Sequence, residues 1–373
     1  MRYGERMRYP EFLKNKDTIG YVAPAFGCNR EPYKSAFENA LKQFEERGYG
    51  SELGPNVYKE DGVGISTSPV DCGKELEQYY CADTNKAIIS CGGGELMCET
   101  ISNIDFDKIA QAKPKWYMGF SDNTNFTFLL TTLCDTASIY GPNAPKFGMI
   151  PWHESLEDAM KVLDGSKLTV NNYDKWEKES LRDEEHPYEP FNLTEETILR
   201  GFAPKAEKAG NRVELGVSES GVATGQGMLP AENIKMRGRL IGGCMDCLVN
   251  LTGTRFDKVS EFLEKYKEDG FIWFLECCDL NTFSMRRAMW QMKEAGWFKY
   301  CKGFLIGRPM HFDEPLFGLD RFGAILNTVE EMGVPAVMDL DIGHISPSMP
   351  LVCGSMADVR YEHGNISINM ELL

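Results

Sequence analysis

Ser121 lies in a segment with the pattern of a hydrolase nucleophile. The segment Gly119–Asp122 follows an apolar stretch at 116–118 and precedes an amphipathic one at 125–133. A serine at a sharp strand-to-helix turn exposes its hydroxyl at the edge of a sheet, above the N-terminus of a helix. The same residues also suit an ordinary helix start, because Ser and Asp cap free N–H groups. The serine therefore needs partners elsewhere in the chain before catalysis is indicated.

Such a serine requires a base, usually histidine, and a carboxylate that orients the base. Among five histidines, His344 stands apart because it lies in a Gly-His turn after an apolar stretch. Glu276 ends the apolar stretch 271–275, where an ionised side chain needs a partner. Each residue has a structural alternative, a loop histidine bonded to the backbone or a strand end that faces solvent. With Ser121 they would give the chain order Ser, acid, His.

Three consecutive glycines, Gly92–Gly94, follow the apolar stretch 86–91 and can supply an oxyanion hole. A tetrahedral intermediate requires two backbone N–H donors. We expect one from Asp122, the residue after the nucleophile. We expect the other from Gly93 or Gly94, where the absence of a side chain lets the backbone approach a ligand. A phosphate-binding loop is the rival interpretation, but the chain has no Gly-Lys-Ser/Thr or G-x-G-x-x-G pattern.

Composition excludes several classes of protein. The chain has 373 residues, which is enough for two domains with their own cores. Its net charge of -16 argues against binding to a nucleic-acid backbone. No apolar run approaches the roughly 20 residues needed to span a bilayer, and no signal peptide is visible. We therefore expect a soluble cytoplasmic enzyme without a nucleic-acid or membrane partner.

The 12 cysteines are predicted to be free thiols. Cys244 and Cys247 form a C-x-x-C motif, and Cys277 and Cys278 are adjacent. A zinc site would need two such pairs at finger-like spacing or histidines nearby, and the separation of the pairs is too long for that. We expect buried structural thiols and no metal.

Short apolar strands that alternate with helices must position these residues. Strands are predicted at 16–24, 86–91, 115–120, 137–140, 271–275, 303–307 and 336–338, and helices at 31–47, 281–295 and 318–331. This alternation predicts an α/β fold with parallel strands, in which ligand sites lie at the carboxyl ends of the strands. Charged, Pro-rich and Gly-rich sequence at 155–235 predicts a linker and surface insertion. This segment separates a predicted N-terminal domain at 1–154 from a predicted C-terminal domain at 236–373.

Taken in order, these motifs resemble the serine LD-carboxypeptidases (peptidase family S66), which include the microcin C self-immunity peptidases. The segments that carry the resemblance are 19–24, 92–94, 104–107, 119–124, 140–142, 238–243, 251–254, 274–276, 307–309 and 343–354. The resemblance implies a flavodoxin-like or class I amidotransferase-like N-terminal domain that carries Ser121. It implies a swivelling β/α C-terminal domain that carries Glu276 and His344. It also implies a Ser-Glu-His triad, no metal or cofactor, a homodimer, and hydrolysis of a C-terminal amide bond.

The resemblance further implies a small peptide or peptide-nucleotide substrate. In the peptidoglycan-recycling branch, a murein tetrapeptide is cleaved between an L-configured centre and D-alanine. This chain departs from that branch, because Cys91 replaces an arginine before the glycines and 74–78 replaces an Arg-x-x-Asp-Leu-like segment. The insertion with Trp176 is more similar to the microcin-immunity branch, in which an aromatic residue can stack on a nucleobase. We expect Trp176 and Tyr140 to contact substrate, while Trp176 can equally cover apolar surface of its own loop.

Three alternatives remain open. An α/β-hydrolase esterase shares the chain order, but its G-x-S-x-G motif needs a glycine where Asn123 stands. A non-catalytic protein could bind peptides or aminoacyl-nucleotides, with Ser121, Glu276 and His344 present but unused. A cysteine amidotransferase-like enzyme would use Cys91 or Cys134, neither of which has a turn like that of Ser121.

Overall fold

The computed structural model of the protein describes residues 6–205 and 227–373. The chain forms two compact units and passes between them several times. Among the described residues, the first unit comprises those up to Leu168 together with Glu177–Thr194 and Pro347–Gly354. The second unit comprises Thr169–Trp176, the described part of Glu195–Ser346, and Ser355–Leu373.

The strands of the described residues are β1 (Thr18–Val22), β2 (Gly50–Leu53), β3 (Ala87–Ser90), β4 (Trp116–Gly119), β5 (Ser138–Tyr140), β6 (Thr169–Asn171), β7 (Lys175–Glu177), β8 (Leu193–Glu196), β9 (Arg200–Pro204), β10 (Met228–Ala231), β11 (Asn233–Cys244), β12 (Phe271–Glu276), β13 (Cys301–Gly307), β14 (Ala336–Leu340), β15 (Leu351–Cys353), β16 (Met356–Glu362) and β17 (Asn365–Glu371). Strands β7 and β8 pair with each other. The remaining strands form two larger sheets, one in each unit.

The α-helices of the same residues are α1 (Tyr33–Glu46), α2 (Pro69–Cys81), α3 (Met97–Thr100), α4 (Phe106–Gln111), α5 (Thr124–Cys134), α6 (Glu154–Asp164), α7 (Met245–Leu251), α8 (Val259–Lys265), α9 (Thr282–Glu294) and α10 (Arg321–Met332). Short 3₁₀ turns occur at Ile101–Asn103, Ser121–Asn123 and Ala144–Gly148. None of the helices in the described ranges is long and apolar enough to cross a membrane.

The first unit is built on a six-stranded sheet with the order β15-β5-β4-β3-β1-β2. The neighbouring pairs among β1 to β5 are parallel, and only β15 runs antiparallel at the edge beside β5. The order of β1 to β5 is that of flavodoxin-like sheets, whose ligand sites lie beyond the carboxyl ends of the strands. That edge carries the glycines after β3 and Ser121 after β4, as the sequence predicts.

Burial explains why short apolar segments form the centre of this sheet. Every residue of β3, β4 and β5 is buried, which is the pattern of parallel strands covered by helices on both faces. Helix α5, which follows the Ser121 turn, is also buried almost throughout. The serine therefore lies between two elements that are held by the core.

The second unit is built on a nine-stranded mixed sheet with the order β10-β9-β14-β13-β12-β11-β16-β17-β6. Its central strands β11 to β14 are parallel, and the flanking strands pair antiparallel. All six residues of β12, including Glu276, are buried. The predicted α/β class with two domains is confirmed.

The segment predicted as linker and insertion contributes more structure than its composition indicated. It contains α6 and the strands β6 to β10, and β9 joins the larger sheet beside β14. Its residues 206–226 lie outside the part of the chain that the structure describes.

Candidate active site

Ser121 lies at the carboxyl end of β4, where the chain turns through a 3₁₀ turn into α5. Its φ is +64°, in the left-handed region that costs a side chain other than glycine about 1–3 kcal/mol. Phe120 before it is extended, so the direction of the chain changes at the serine itself. The side chain is half-buried. This is the geometry of a nucleophile elbow, in which local strain presents the hydroxyl at the sheet edge.

Asn123 ties this turn to the neighbouring glycine loop. Its side-chain N–H donates to the carbonyl oxygen of Gly92 at 2.7 Å and to that of Phe120 at 3.1 Å. The hydroxyl of Tyr117 donates to Oδ1 of Asn123, which leaves the amide fixed in a fully buried position. A Cβ on Gly119 would lie 2.8 Å from Cγ of Asn123, so the turn needs glycine there.

The residues predicted for the oxyanion hole lie around Ser121 in the same unit. A Cβ on Gly93 would lie 3.0 Å from the Oγ of Ser121, so the glycine backbone packs directly against the hydroxyl. A Cβ on Gly94 would lie 3.2 Å from Oδ2 of Asp122. That carboxylate oxygen accepts the backbone N–H of Met97 at 2.8 Å, which fixes the residue after the serine.

Tyr140 contacts the Ser121 turn from the neighbouring strand β5. The backbone N–H of Ser121 donates to the Tyr140 hydroxyl at 3.2 Å, and Tyr140 is 1% exposed. The side chain therefore positions the serine turn. Contact between Tyr140 and a substrate stays a prediction.

Glu276 and His344 form a buried pair in the second unit. Glu276 is the last residue of β12, and His344 follows β14 in the Gly-His turn. The Nδ1 of His344 lies 2.8 Å from Oε2 of Glu276, whose side chain is fully buried. An ionised carboxylate at such a position requires a charged or hydrogen-bonding partner. The imidazole supplies it and is oriented in return.

The charge state of His344 follows from its neighbours. Burial alone would lower the pKa of the imidazole, but the Glu276 carboxylate and a hydrogen bond with the side chain of Cys278 raise it well above the usual range of histidine. The pair thus stabilises the protonated imidazole, as a base that accepts a proton during catalysis requires.

Cys278 was not predicted to belong to the site. It lies two residues after Glu276, and its backbone N–H donates to Oδ2 of Asp246 at 3.1 Å. The other oxygen of that carboxylate accepts the N–H of Asp279 at 3.0 Å, so one side chain of α7 fixes the loop. The position of the cysteine pair directly after a candidate catalytic acid was the signal that could have found it.

A buried ion pair anchors the segment that leads to His344. Arg308 follows β13, and its Nη2 lies 3.3 Å from Oδ1 of Asp341, which is fully buried. Burial raises the pKa of Asp341 to about 6, although Arg308 and the backbone N–H of Tyr173 oppose this shift. The pair restrains the chain three residues before the histidine.

Trp176 packs within the second unit. Its indole N–H donates to the carbonyl oxygen of Glu196 at 3.2 Å, and the Arg308 guanidinium lies 4.4 Å from the ring centroid. The Phe312 ring contacts the indole at a centroid distance of 5.2 Å, and Trp176 is 8% exposed. These contacts favour the alternative in which Trp176 covers apolar surface. Its contact with a nucleobase stays a prediction.

The two cysteines of the amidotransferase alternative are unsuited to attack. Cys91 and Cys134 are each 1% exposed. Burial raises the pKa of Cys91 well above its usual value and that of Cys134 to about 12. Both thiols are therefore held protonated, and the thiolate is the nucleophilic form. Within residues 6–205 and 227–373 no group of three His, Cys, Asp or Glu side chains could hold a metal ion.

Solved structures share the fold of this chain. The microcin C7 self-immunity protein MccF in complex with glutamyl sulfamoyl guanosine has a TM-score of 0.76 at 19% identity, covering 98% of this chain and 99% of that chain. An MccF-like protein from Bacillus anthracis str. Ames has a TM-score of 0.73 at 20% identity, with coverage of 98% and 100%.

Sequence comparison identifies the family. A probable murein peptide carboxypeptidase of Bacillus subtilis (strain 168) is 24% identical over 352 residues, which are 93% of this chain and 90% of that protein. The family model of the LD-carboxypeptidase N-terminal domain matches residues 19–141, and that of the C-terminal domain matches residues 237–359. The expected resemblance is thereby confirmed, and the chain belongs to the LD-carboxypeptidase family, peptidase family S66.

Proposed function

We propose that this chain is a serine carboxypeptidase that hydrolyses a C-terminal amide bond through an acyl-enzyme. Ser121 is the nucleophile, His344 is the base, and Glu276 orients the base. The observation that carries the proposal is the buried Glu276–His344 pair, with its Nδ1–Oε2 distance of 2.8 Å. A buried carboxylate bonded to an imidazole is the arrangement by which serine hydrolases fix the tautomer of their base.

In the first step, Nε2 of His344 accepts the hydroxyl proton of Ser121 as Oγ attacks the scissile carbonyl carbon. Glu276 keeps the proton on Nδ1 and stabilises the imidazolium that forms. The backbone N–H groups of Asp122 and of Gly93 or Gly94 bind the oxyanion of the tetrahedral intermediate. The close packing of Gly93 against Oγ supports this assignment.

In the second step, the imidazolium gives its proton to the leaving amine as the C–N bond breaks. An ester between the acyl group and Ser121 remains. Water then attacks this ester with His344 again as base, and the carboxylic acid and free serine are released.

The proposed substrate is a short peptide with a D-configured C-terminal residue, the murein tetrapeptide or a related one. The name of the Bacillus subtilis relative, a murein peptide carboxypeptidase, supports this class. A second candidate is an amide that joins an amino acid to a nucleotide, as in microcin C. It is favoured by the fold shared with MccF bound to glutamyl sulfamoyl guanosine and by the absence of an arginine before Gly92.

The test compares wild type with Ser121→Ala on an L-Ala-γ-D-Glu-diaminopimelate-D-Ala tetrapeptide and on glutamyl sulfamoyl adenosine. Mass spectrometry follows the products. Ser284→Ala, which removes another half-buried hydroxyl, is the matched control and should retain wild-type rates. Release of D-Ala by wild type and not by Ser121→Ala supports the carboxypeptidase. Cleavage of the nucleotide conjugate alone supports the second candidate.

Failure of both substrates with folded wild type would contradict both proposals and favour a non-catalytic binding protein. Turnover by Ser121→Ala at the wild-type rate would overturn the assignment of the nucleophile. Hydrolysis of simple esters but of no amide would instead indicate an esterase.

A further inference from the structure

Asn143 lies beside the Ser121 turn and was not among the predicted site residues. It follows the segment 140–142 after β5 and is 6% exposed. Its side-chain oxygen, Oδ1, accepts the backbone N–H of Phe120 and the side-chain N–H of Asn123, each at 3.3 Å. Because a backbone N–H can only donate, these bonds fix which end of the Asn143 amide faces the turn. The amide nitrogen, Nδ2, therefore lies on the other side of the amide.

The Nδ2 group of Asn143 is an unused donor. Within residues 6–205 and 227–373 it has no hydrogen-bond partner, whereas Oδ1 has two. Asn143 also stands at the N-cap of the 3₁₀ turn Ala144–Gly148, a position where an asparagine side chain usually accepts a backbone N–H of the turn. Here the side chain makes no such bond. Capping therefore does not explain this asparagine, and its side-chain N–H groups are available to an acceptor.

The space beside Gly93 connects this donor with the proposed nucleophile. A Cβ on Gly93 would lie 3.0 Å from Oγ of Ser121 and 3.9 Å from Nδ2 of Asn143. The hydroxyl and the amide thus border the same gap, which residue 93 leaves open because it is glycine. All three residues belong to the first unit. A carbonyl group that Oγ attacks must enter the surroundings of this gap together with its oxygen.

We propose that Asn143 is a further catalytic residue: its Nδ2 donates a hydrogen bond to the oxygen of the attacked carbonyl, beside the backbone N–H donors of the oxyanion hole. This inference rests on the proposed function, in which Ser121 forms an acyl-enzyme. An asparagine side chain can serve as such a donor, and removal of one in a serine protease lowers kcat by about 10²–10³-fold. The hydrogen bond strengthens as negative charge develops on the oxygen, so Asn143 acts on the transition state more than on bound substrate.

A purely structural role is the rival explanation, because Oδ1 of Asn143 holds the turn at Phe120 and Asn123. Two substitutions separate the roles. Asn143→Asp keeps an oxygen for both donors of the turn and replaces Nδ2 with a second oxygen. Asn143→Ala removes Nδ2 without adding charge, and it also removes the acceptor. Loss of the donor is the change that both variants share.

Asn85→Asp is the matched control. Asn85 is 1% exposed, and its Oδ1 accepts a hydrogen bond from Nζ of Lys115 at 2.7 Å. It directly precedes β3, so it lies at the amino ends of the parallel strands, whereas Ser121 lies at their carboxyl ends. The control makes the same exchange of a buried asparagine in the same unit. It should leave the rates at Ser121 as they are in wild type.

The experiment measures two rates for wild type and the three variants. The first is the phosphonylation of Ser121 by a fluorophosphonate, which peptide mapping by mass spectrometry follows over time. In this reaction an Oγ–phosphorus bond forms, fluoride leaves with the electron pair of the phosphorus–fluorine bond, and the hydroxyl proton passes to His344. The phosphoryl oxygen takes the place of the carbonyl oxygen. The second rate is hydrolysis of the substrate that wild type turns over, with kcat and KM determined separately.

We expect both Asn143 variants to lose about 10²-fold or more in kcat and in the phosphonylation rate, with KM changed by less than about threefold. Circular dichroism should show both variants folded. A loss in Asn143→Ala alone would mean that the residue only holds the turn, and a loss in Asn143→Asp alone would mean repulsion by the new charge. Either result would overturn the inference, as would a loss that appears only as a raised KM.

The two rates separate this inference from the proposed function. If wild type is neither phosphonylated at Ser121 nor active on either substrate, the proposed function fails and the inference fails with it. If Ser121 is phosphonylated but neither substrate is cleaved, the proposed substrates fail, and the phosphonylation rates still decide the role of Asn143. If wild type is active and both Asn143 variants match it, the inference alone is overturned.

Discussion

Replacing Glu276 with glutamine tests the centre of the proposed mechanism. Glu276→Gln keeps the size of the side chain and removes its charge. The glutamine N–H₂ can donate to Nδ1 of His344, which would hold the proton on Nε2 and leave the imidazole unable to accept one from Ser121. Loss of the carboxylate in the same position of a Ser-His-Asp triad lowers kcat by about 10⁴-fold.

The geometry gives a second estimate of the effect. Nδ1 of His344 and Oε2 of Glu276 are 2.8 Å apart, and the centres of charge of the two groups lie somewhat further apart. Two unit charges about 4 Å apart interact by about 4 kcal/mol at an effective dielectric constant of about 20. The imidazolium of the transition state would lose this stabilisation, which corresponds to about 10³-fold in rate. We therefore expect kcat/KM to fall by about 10³–10⁴-fold.

The pH dependence supplies an independent signature. The carboxylate of Glu276 raises the pKa of His344 above its usual range, and only the neutral imidazole accepts a proton. Activity of wild type should therefore rise with pH, with a midpoint above the ordinary value of about 6.5 for histidine. In Glu276→Gln the carboxylate is gone while burial still lowers the pKa, so the midpoint should shift to lower pH.

The assay measures kcat/KM from pH 5 to 9 with the substrate that wild type turns over. Glu362→Gln, an exposed glutamate on the same unit, is the matched control and should leave rate and midpoint unchanged. A Glu276→Gln variant with less than tenfold loss and an unmoved midpoint would refute the reasoning, because the carboxylate would then neither orient nor charge the base.

Three further predictions test packing, the oxyanion hole and the tryptophan. Burial raises the pKa of Glu75 from 4.5 to about 7. The free energy of unfolding should therefore fall by about 3 kcal/mol as pH rises from 4.5 to 7, because the folded state holds this proton more tightly than the unfolded state. Chemical denaturation at pH 5 and pH 8 should show a smaller fall in the free energy of unfolding for Glu75→Gln than for wild type. Gly93→Ala places a methyl group 3.0 Å from Oγ of Ser121, so kcat should fall by about tenfold or more with an unchanged thermal midpoint. Trp176→Ala should lower the free energy of unfolding by about 3–5 kcal/mol, whereas a raised KM for a nucleotide conjugate at unchanged stability would indicate stacking instead.

The elements that position the site could be predicted because they are buried on both faces. Segments 87–89 and 271–275 are continuous apolar runs, and their strands pair in parallel with both neighbours inside a sheet. Strand β2 was missed, because Gly50–Leu53 lies at a sheet edge, is largely exposed and has no apolar run. The hairpin of β16 and β17 carries an alternating pattern of buried residues that could have been recognised.

Residue types and their spacing predict only part of the candidate site. A serine at a strand end and a Gly-His turn are local patterns, and the acid at the end of β12 follows from burial. The contact of Tyr140 with the Ser121 backbone depends on which strands are neighbours. No local pattern contains that information.

The glycines around Glu276 show how a buried charge shapes the sequence around it. A Cβ on Gly343, whose φ is +104°, would lie 2.6 Å from Cδ of Glu276. A Cβ on Gly307 would lie 2.8 Å from the Cβ of the same glutamate. Both positions must therefore lack a side chain for the carboxylate to reach His344. The Gly-His and Gly-Arg-Pro segments are separate motifs in the sequence. Both meet one requirement, which is space for the buried Glu276 side chain beside His344.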